Sequence, residues 1–212
     1  MSRQLSQNWA MSSLADNALP PLGLRERKKA KTLAAIQAAA LKLFRKQGYD
    51  ATTSEQIAAA AEVAPSTFFR YFPTKEDVVL LDLTDPLVIE AFRAQPPELS
   101  AIQALRNAVR SVFDQLPDDE FEVIRQREEL ILANPELQAR MLGEIAGMVR
   151  LVADVAAERT GRRADEFELR VAAGALMGVA FGLMLTELDA SPRDLIALFD
   201  AGLEQLETGI KL

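Results

Sequence analysis

Apolar positions recur at helical spacing along most of the chain. The first strong pattern covers residues 25–47, where Ile36, Ala40 and Phe44 lie on one face and Gly48 follows at a suitable helix end. Another helix begins at about Lys75, and a break is expected near Asp85-Pro86, because proline disfavours helix in the residue before it. The alternation typical of strands does not occur, so the sequence predicts an all-α fold. Further helices are predicted at about residues 100–116, 121–133, 136–160, 165–188 and 193–208.

Residues 52–77 predict two short helices joined by a tight turn. Thr53 and Gln56 have the spacing of a capping box at the start of the first one. The turn is predicted at residues 62–64, and Pro65 occupies the first position of the next helix, where proline is well tolerated. A helix of barely two turns is not stable alone, so its neighbours must hold it in place. This is a helix-turn-helix, whose second helix has the size that a DNA major groove accepts.

The composition of the 212 residues excludes several kinds of chemistry. There is no cysteine and no histidine, which removes thiol nucleophiles, thiolate metal sites and the commonest general base. Neighbouring carboxylates such as Asp118-Asp119 diverge on a helix and are interpreted as solvated surface. We therefore expect no catalytic residues, no metal and no cofactor, and a protein that is not an enzyme. The start of the chain has no continuous apolar core typical of a signal peptide, which favours a cytoplasmic location.

The net charge of −7 conceals a reversal of sign along the chain. Residues 1–75 carry a charge of +6, whereas the remainder carries −13. Five basic residues also stand in the first turns of the first helix, where they oppose the helix dipole, so an external reason for them is needed. A phosphate backbone would supply that reason. The alternatives are charges scattered on solvated faces and a basic arm without a role. The five residues are Arg25, Arg27, Lys28, Lys29 and Lys31.

One late segment, Val171–Leu185, is apolar apart from small glycines. At fifteen residues it is shorter than the roughly 20 that span a bilayer, so no membrane association is expected. A helix that is apolar all round is expected to be buried on all sides. Its glycines recur every four residues, which suits either ordinary core packing or the interface of a homodimer; both remain open. The residues predicted for such an interface are Gly174, Gly178, Gly182, Leu195 and Leu198.

Three features of the first third of the chain carry a family resemblance: the long first helix, the second helix that begins with two threonines, and the run VAPSTFFRYFPTKEDVV at residues 63–79. This part of the chain resembles the TetR family of bacterial repressors. The resemblance covers about residues 25–79, and the wording FFRYFPTKED is similar to members with an acyl-CoA-like ligand-binding domain. It implies a homodimer of helical subunits that binds an operator as a repressor. The polar, aperiodic segment 1–23 is predicted to be disordered, 24–75 to form the DNA-binding domain, and 76–212 to bind a ligand and dimerise.

The resemblance also assigns DNA-binding positions. The family's usual tyrosine after the first aromatic is Phe69 here, so its hydroxyl bond to phosphate is missing. The side chains of Ala64, Pro65 and Ser66 are poorly suited to hydrogen bonding with base edges. We therefore expect the DNA sequence to be recognised through Arg70, methyl contacts and DNA shape. Phe68 and Phe72 are expected in the core. The full predicted set is Arg27, Lys28, Lys29, Thr52, Thr53, Ser54, Ala64, Pro65, Ser66, Thr67, Phe69, Arg70, Tyr71 and Lys75.

The effector is hardly visible in the sequence. A small lipophilic or acyl-CoA-like molecule is what the resemblance implies, and it would release the palindromic operator by acting through the helix that begins at Lys75. The alternatives are a DNA-binding dimer without an effector, and an acyl-ligand-binding protein or enzyme on the same fold. Large apolar residues on helices that should converge form the candidate pocket, although each also suits a plain core. They are Phe92, Phe113, Met141, Met148, Met177, Phe181 and Met184.

Overall fold

The computed structural model describes residues 24–187 and 189–209, and within these ranges the regular elements are α-helices. The predicted all-α fold is confirmed. The predicted disorder of residues 1–23 lies outside the described residues. The helices are α1 (Leu24–Gln47), α2 (Ser54–Ala60), α3 (Pro65–Tyr71), α4 (Lys75–Leu80), α5 (Asp85–Arg93), α6 (Ala101–Phe113), α7 (Asp118–Ala133), α8 (Pro135–Thr160), α9 (Phe167–Thr186) and α10 (Pro192–Thr208).

Most helix ends follow local signals in the sequence. Capping boxes start four helices: Thr53 caps α2, Thr74 caps α4, Ser100 caps α6 and Ser191 caps α10. The expected break near Asp85-Pro86 takes a different form. The chain leaves helix at Leu81, and α5 then begins at Asp85 with Pro86 in its first turn. Proline here starts a helix instead of ending one, because the first turn needs no N–H from it.

The chain folds into two compact units. In its described part, the first unit holds α1 to α4 and α7, since it combines the chain up to Leu83 with Leu116–Leu137. Within it α1 packs against α2, α4 and α7, α2 packs against α3, and α4 packs against α7. The core of this unit contains fully buried Ile36, Ile57 and Phe68. The predicted domain boundary at residue 75 stays a prediction.

The second unit comprises Thr84–Gln115 and the chain from Gln138 onward. In it α5 packs against α6, α6 against α10, and α9 against α10. Its hydrophobic cluster lies around α5 and α6 and includes Val155 of α8. The fully buried alanines of α6 allow this close packing of helices. The buried members are Ala91, Phe92, Ala104, Ala108, Val112 and Val155.

Helix α9 is not buried on all sides, and here the expectation from the sequence was wrong. Only 11% of its most apolar stretch is buried within the chain, and Phe167 at its start is 69% exposed. Leu169 and Ala173 are its buried residues. With 20 residues and a mean hydropathy of 1.7, the helix is long and apolar enough by length and composition to cross a membrane, unlike the fifteen-residue run considered above. Composition alone could not reveal that the described residues leave this surface uncovered.

Candidate nucleic-acid interface and effector domain

Helices α2 and α3 form the predicted helix-turn-helix, and local hydrogen bonds fix both starts. The Thr53 hydroxyl accepts a hydrogen bond from the Gln56 backbone N–H at 3.2 Å, and the Gln56 side-chain oxygen accepts one from the Thr53 N–H at 3.0 Å. The predicted capping box is therefore present. Helix α3 has no side-chain cap and begins instead with Pro65, as expected.

The turn between α2 and α3 closes as a Schellman motif. The N–H of Val63 donates to the carbonyl of Ala58 at 3.0 Å, and the N–H of Glu62 donates to that of Ala59 at 3.1 Å. Glu62 has a φ of 57°, in the left-handed region that glycine usually occupies at this position. The turn thus carries backbone strain at one exposed glutamate.

Two phenylalanines anchor α3 on the head, the name used here for α1 to α4 of the first unit. Phe68 and Phe72 are fully buried, and their ring centroids lie 5.9 Å apart. Their predicted place in the core is confirmed. Since Phe68 and Phe72 lie one turn apart, they hold one face of α3 inward, and the opposite face is exposed.

The exposed face of α3 consists of two parallel strips. Pro65 and Phe69, four residues apart, form an apolar strip, and Ser66 and Arg70 form a polar strip beside it. All four are exposed, as is Ala64 before the helix. The guanidinium of Arg70 lies 4.8 Å from the ring centroid of half-buried Tyr71.

The other predicted contact positions differ in accessibility. Lys28 and Lys29 are exposed on the first turns of α1, whereas the side chain of Arg27 lies outside the described residues. Ser54 and Thr67 are half-buried. Thr53 is exposed, although its hydroxyl already caps α2.

Thr52 differs from the other predicted contact positions because it is buried. Its side chain is 1% exposed, and its hydroxyl donates to the carbonyl of Gly48 at 2.7 Å. The hydroxyl also accepts a hydrogen bond from Gln47 at 3.3 Å. Because both partners of this hydroxyl lie inside the head, Thr52 orders the loop before α2, and its contact with phosphate stays a prediction. Nothing in the local pattern distinguishes it from exposed Thr53.

Lys75 is part of an internal corner between α1 and α4. Its ammonium donates to the carbonyls of Tyr49 at 3.1 Å and Thr52 at 3.4 Å, and it lies 4.2 Å from the Tyr49 ring centroid. The Tyr49 hydroxyl in turn donates to Glu76 at 2.8 Å. The lysine is half-buried, so a large part of its bonding capacity stabilises the head and only the remainder is available to DNA.

Two buried polar side chains, missed by sequence reasoning, hold the C-terminal end of α4. The Gln37 amide of α1 donates to the carbonyls of Val78 and Leu81, each at 2.9 Å. The Arg127 guanidinium of α7 donates to the carbonyl of Val79 at 2.9 Å and to the carboxylate of Asp82 at 3.0 Å. Carbonyls at a helix end have no partner in the helix itself, so these contacts satisfy them. A polar residue on an otherwise apolar helix face is the signal that could have identified both.

The predicted pocket residues lie on four helices of the second unit. Phe92 belongs to the cluster of the second unit, and Phe113 packs against that cluster. Met141 is buried on α8 and Met148 is half-buried there, whereas Met177, Phe181 and Met184 are half-buried on α9, which packs against α10. The candidates are thus spread over four helices, and their convergence on one ligand stays a prediction.

A network of charged side chains joins α6 to α10. The Arg106 guanidinium donates to both carboxylate oxygens of Asp200, at 2.9 and 3.1 Å, and to Glu204 at 2.9 Å. The hydrogen bonds from Arg106 hold the pKa of Asp200 below its ordinary value, and Arg110 contributes in the same direction. Arg106 and Arg110 also line a cleft of about 240 Å³ with Leu99, Gln103 and Asn107. Because carboxylates already neutralise both arginines, this cleft is a poor site for an anionic head group.

Comparison with known proteins agrees with this arrangement. Residues 36–81 match the sequence model of the bacterial regulatory proteins of the tetR family, and residues 99–211 match that of the MftR C-terminal domain. The HTH-type transcriptional regulator TcmR of Streptomyces glaucescens is 35% identical over 181 residues, which are 84% of this chain and 73% of TcmR. The chain belongs to the TetR family of bacterial transcription regulators. Its predicted family and its helix-turn-helix head are confirmed.

Two further TetR-family proteins extend the similarity. MftR of Mycobacterium tuberculosis is 30% identical over 157 residues, covering 73% of this chain and 78% of MftR. The solved structure of the TetR-family repressor FadR from Thermus thermophilus, in complex with lauroyl-CoA, is 27% identical. It matches 85% of this chain and 95% of FadR with a TM-score of 0.52. In the TetR family the head binds DNA and the C-terminal domain binds ligands.

Proposed function

We propose that this TetR-family regulator is a ligand-responsive repressor that binds a palindromic operator as a homodimer in the cytoplasm. The observation that carries the proposal is the outward face of α3, which the buried Phe68 and Phe72 hold in place. Exposed Lys28 and Lys29 on α1 add positive charge to the same compact unit. A two-turn reading helix covers only a few base pairs, so two copies on symmetric half-sites supply the remaining specificity.

The uncovered surface of α9 supports pairing between copies. Six of its exposed residues lie on one face of the helix, because they follow one another at intervals of three or four positions. They are Phe167, Val171, Gly174, Gly178, Gly182 and Leu185. Phe167, Val171 and Leu185 are large and apolar. Between them lie exposed Gly174, Gly178 and Gly182, where an added Cβ would meet nothing within 4 Å. Within the described part of the chain, nothing packs against the Cβ positions of these three glycines, and we assign them to the dimer interface together with Leu195 and Leu198 of α10.

The proposed effector is a small lipophilic or acyl-CoA-like molecule. Support comes from the similarity to the FadR repressor, whose structure holds lauroyl-CoA. The spread of Phe92, Met141, Met148 and Met177 over several helices provides adaptable apolar surface for an acyl chain. Effector binding would favour a head spacing that does not fit the operator, with α4 transmitting the change. A coupling of about 1–3 kcal/mol loosens operator binding roughly 5–150-fold.

A gel shift on the DNA that flanks the protein's own gene tests binding and release. Specific retardation is expected at nanomolar protein, and lauroyl-CoA at micromolar concentration should reverse it, whereas free coenzyme A should not. If the protein–DNA complex persists in the presence of acyl-CoAs of every chain length, this effector class is excluded, and a regulator without a small-molecule effector is favoured. Absence of any sequence-specific shift would overturn the proposed function itself.

The interface is tested by adding charge to the glycine face. Gly178→Arg should yield monomers with weak operator binding, because the arginine would stand in the middle of the seam. Gly143→Arg is the matched control, since Gly143 on α8 is also exposed and its added Cβ also meets nothing within 4 Å. Sedimentation of both variants decides the question: an unchanged dimer for Gly178→Arg would place the interface elsewhere.

A further inference from the structure

The apolar strip on α3 lies largely outside the core of the head. Phe69 is 45% exposed, whereas the neighbouring Phe68 is fully buried and supplies the anchoring contact. The two rings meet edge to face with centroids 5.3 Å apart, so Phe69 contacts the core through Phe68 while much of its surface stays exposed. Next to it on the helix lies Pro65, which is also exposed.

This strip cannot form hydrogen bonds with base edges. Neither Pro65 nor Phe69 carries a donor or acceptor in its side chain, and Ala64 just before the helix carries none either. The group in the major groove that an apolar side chain can contact favourably is the C5 methyl of thymine. The other base edges there present hydrogen-bonding atoms that such contact would leave unsatisfied.

We propose that Phe69 is a specificity-determining residue that reads thymine methyl groups in each operator half-site. This inference rests on the proposed function, because it requires α3 to enter the major groove. The polar strip of Ser66 and Arg70 lies alongside, so the base pair that meets Phe69 is flanked by one that meets hydrogen-bonding side chains. The strip predicts an operator in which at least one thymine per half-site matters through its methyl group alone.

Thymine-to-uracil substitution tests the proposal directly, because it removes the methyl and leaves every hydrogen-bonding atom in place. The operator is first selected from random duplex DNA with the full-length protein. Each thymine is then replaced by deoxyuridine, symmetrically in both half-sites, and the dissociation constant is measured by fluorescence anisotropy. Losing one buried methyl per half-site should weaken binding roughly fourfold each, or about 15-fold for the symmetric change.

The protein side of the test uses Phe69→Ala. This variant should bind the thymine operator about as weakly as the original protein binds the uracil operator, and should no longer distinguish the two. Leu81→Ala is the matched control, since Leu81 is an exposed large apolar residue of the same unit that lies outside α3. It should retain the full preference for thymine.

The outcomes separate this inference from the function on which it rests. If no sequence is enriched from random DNA, the proposed operator binding fails. If a tight operator emerges but no uracil substitution weakens it by more than twofold, methyl readout is excluded while the regulator function stands. A uracil penalty that persists unchanged in Phe69→Ala would show that a residue other than Phe69 reads the methyl, and would also overturn the proposal.

Discussion

The guanidinium of Arg127, in the middle of α7, donates a hydrogen bond to the backbone carbonyl of Val79, near the end of α4, at 2.9 Å. The two residues are far apart in sequence, and Arg127 is only 7% exposed. With Gln37 contributing from α1, the end of α4 is bound by helices on two sides. Helix α4, through which we propose that the effector signal travels, is thereby fixed to α1 and α7.

Removal of Arg127 should therefore loosen the first unit. Arg127→Met leaves the Val79 carbonyl without its partner and Asp82 without its guanidinium, at a cost of about 2–3 kcal/mol. The thermal midpoint should fall by roughly 5–10 °C. Arg125→Met is the matched control, because Arg125 pairs with Glu122 and Glu129 on the exposed side of the same helix. Its midpoint should hardly change, and equal losses for both variants would contradict the importance of the α4 contact.

The strained turn of the helix-turn-helix gives a prediction of opposite sign. Glu62→Gly should stabilise the protein by about 0.5–1 kcal/mol, because glycine adopts the φ of 57° without steric cost. Gly48→Ala provides the reverse test, since Gly48 has a φ of 88° and alanine would be strained there. Urea unfolding of both variants measures the two effects. A loss of stability in Glu62→Gly would mean that the glutamate side chain makes a compensating interaction.

Glu120 at the start of α7 makes stability depend on pH. Burial, with a smaller contribution from the charge of Asp119, raises the pKa of Glu120 from 4.5 to about 7. In the unfolded chain this carboxyl ionises near its ordinary pKa, so the folded state is penalised increasingly as the pH rises from 4.5 to 7. Glu120→Gln should hence stabilise the protein at pH 8 by about 1–2 kcal/mol.

The stabilisation by Glu120→Gln should disappear near pH 4.5. At that pH the carboxyl is protonated in the folded protein, and its ionisation in the unfolded chain lowers the free energy of that chain only slightly. Glu122→Gln is the control on the same helix, because the hydrogen bond from Arg125 lowers the pKa of Glu122. At pH 8 that variant should show no gain. Melting curves at the two pH values check the sign, and a gain for Glu120→Gln that is independent of pH would contradict the titration of this carboxyl.

Operator binding should depend steeply on salt, with a log–log slope on the order of −5 to −7 for the dimer. Lys28→Ala combined with Lys29→Ala should flatten this slope by roughly 3–4, since two phosphate contacts per subunit are lost. Arg150→Ala, an exposed cation of α8 in the second unit, should leave the slope unchanged. A slope near −1 for the unaltered protein would exclude the electrostatic account. Lys75→Ala is less informative, because Lys75 also stabilises the Tyr49 corner.

The helical elements and the inward face of α3 could be predicted because their signals are local. Capping boxes such as Thr53 with Gln56, the proline that begins α3, and the spacing of Phe68 and Phe72 all lie within a few residues of the features they determine. The burial of Thr52 could not be predicted, since it depends on which hydroxyl faces the carbonyl of Gly48.

Long-range contacts set the limits of the prediction. The bonds of Arg127 to Val79 and of Arg106 to Asp200 join residues that are 48 and 94 positions apart, and no spacing rule connects them. Likewise, the apolar composition of α9 has the same appearance whether the helix is covered by its own chain or by another. In the described residues, Leu169 and Ala173 of α9 are buried, whereas the face that contains Phe167 and Leu185 is exposed. The pocket could not be predicted from spacing either, because ligand contacts leave no periodic pattern.

The exposed face of α9 has a consequence for how operator occupancy depends on the amount of protein in the cell. If copies pair through this face, as we propose, association stabilises the folded chain, so pairing and folding stability are linked by mass action. Operator occupancy would then rise more steeply than in proportion to the number of chains. A small drop in synthesis of the regulator would dissociate dimers and free the operator even without an effector. The regulator would in this way respond to its own copy number.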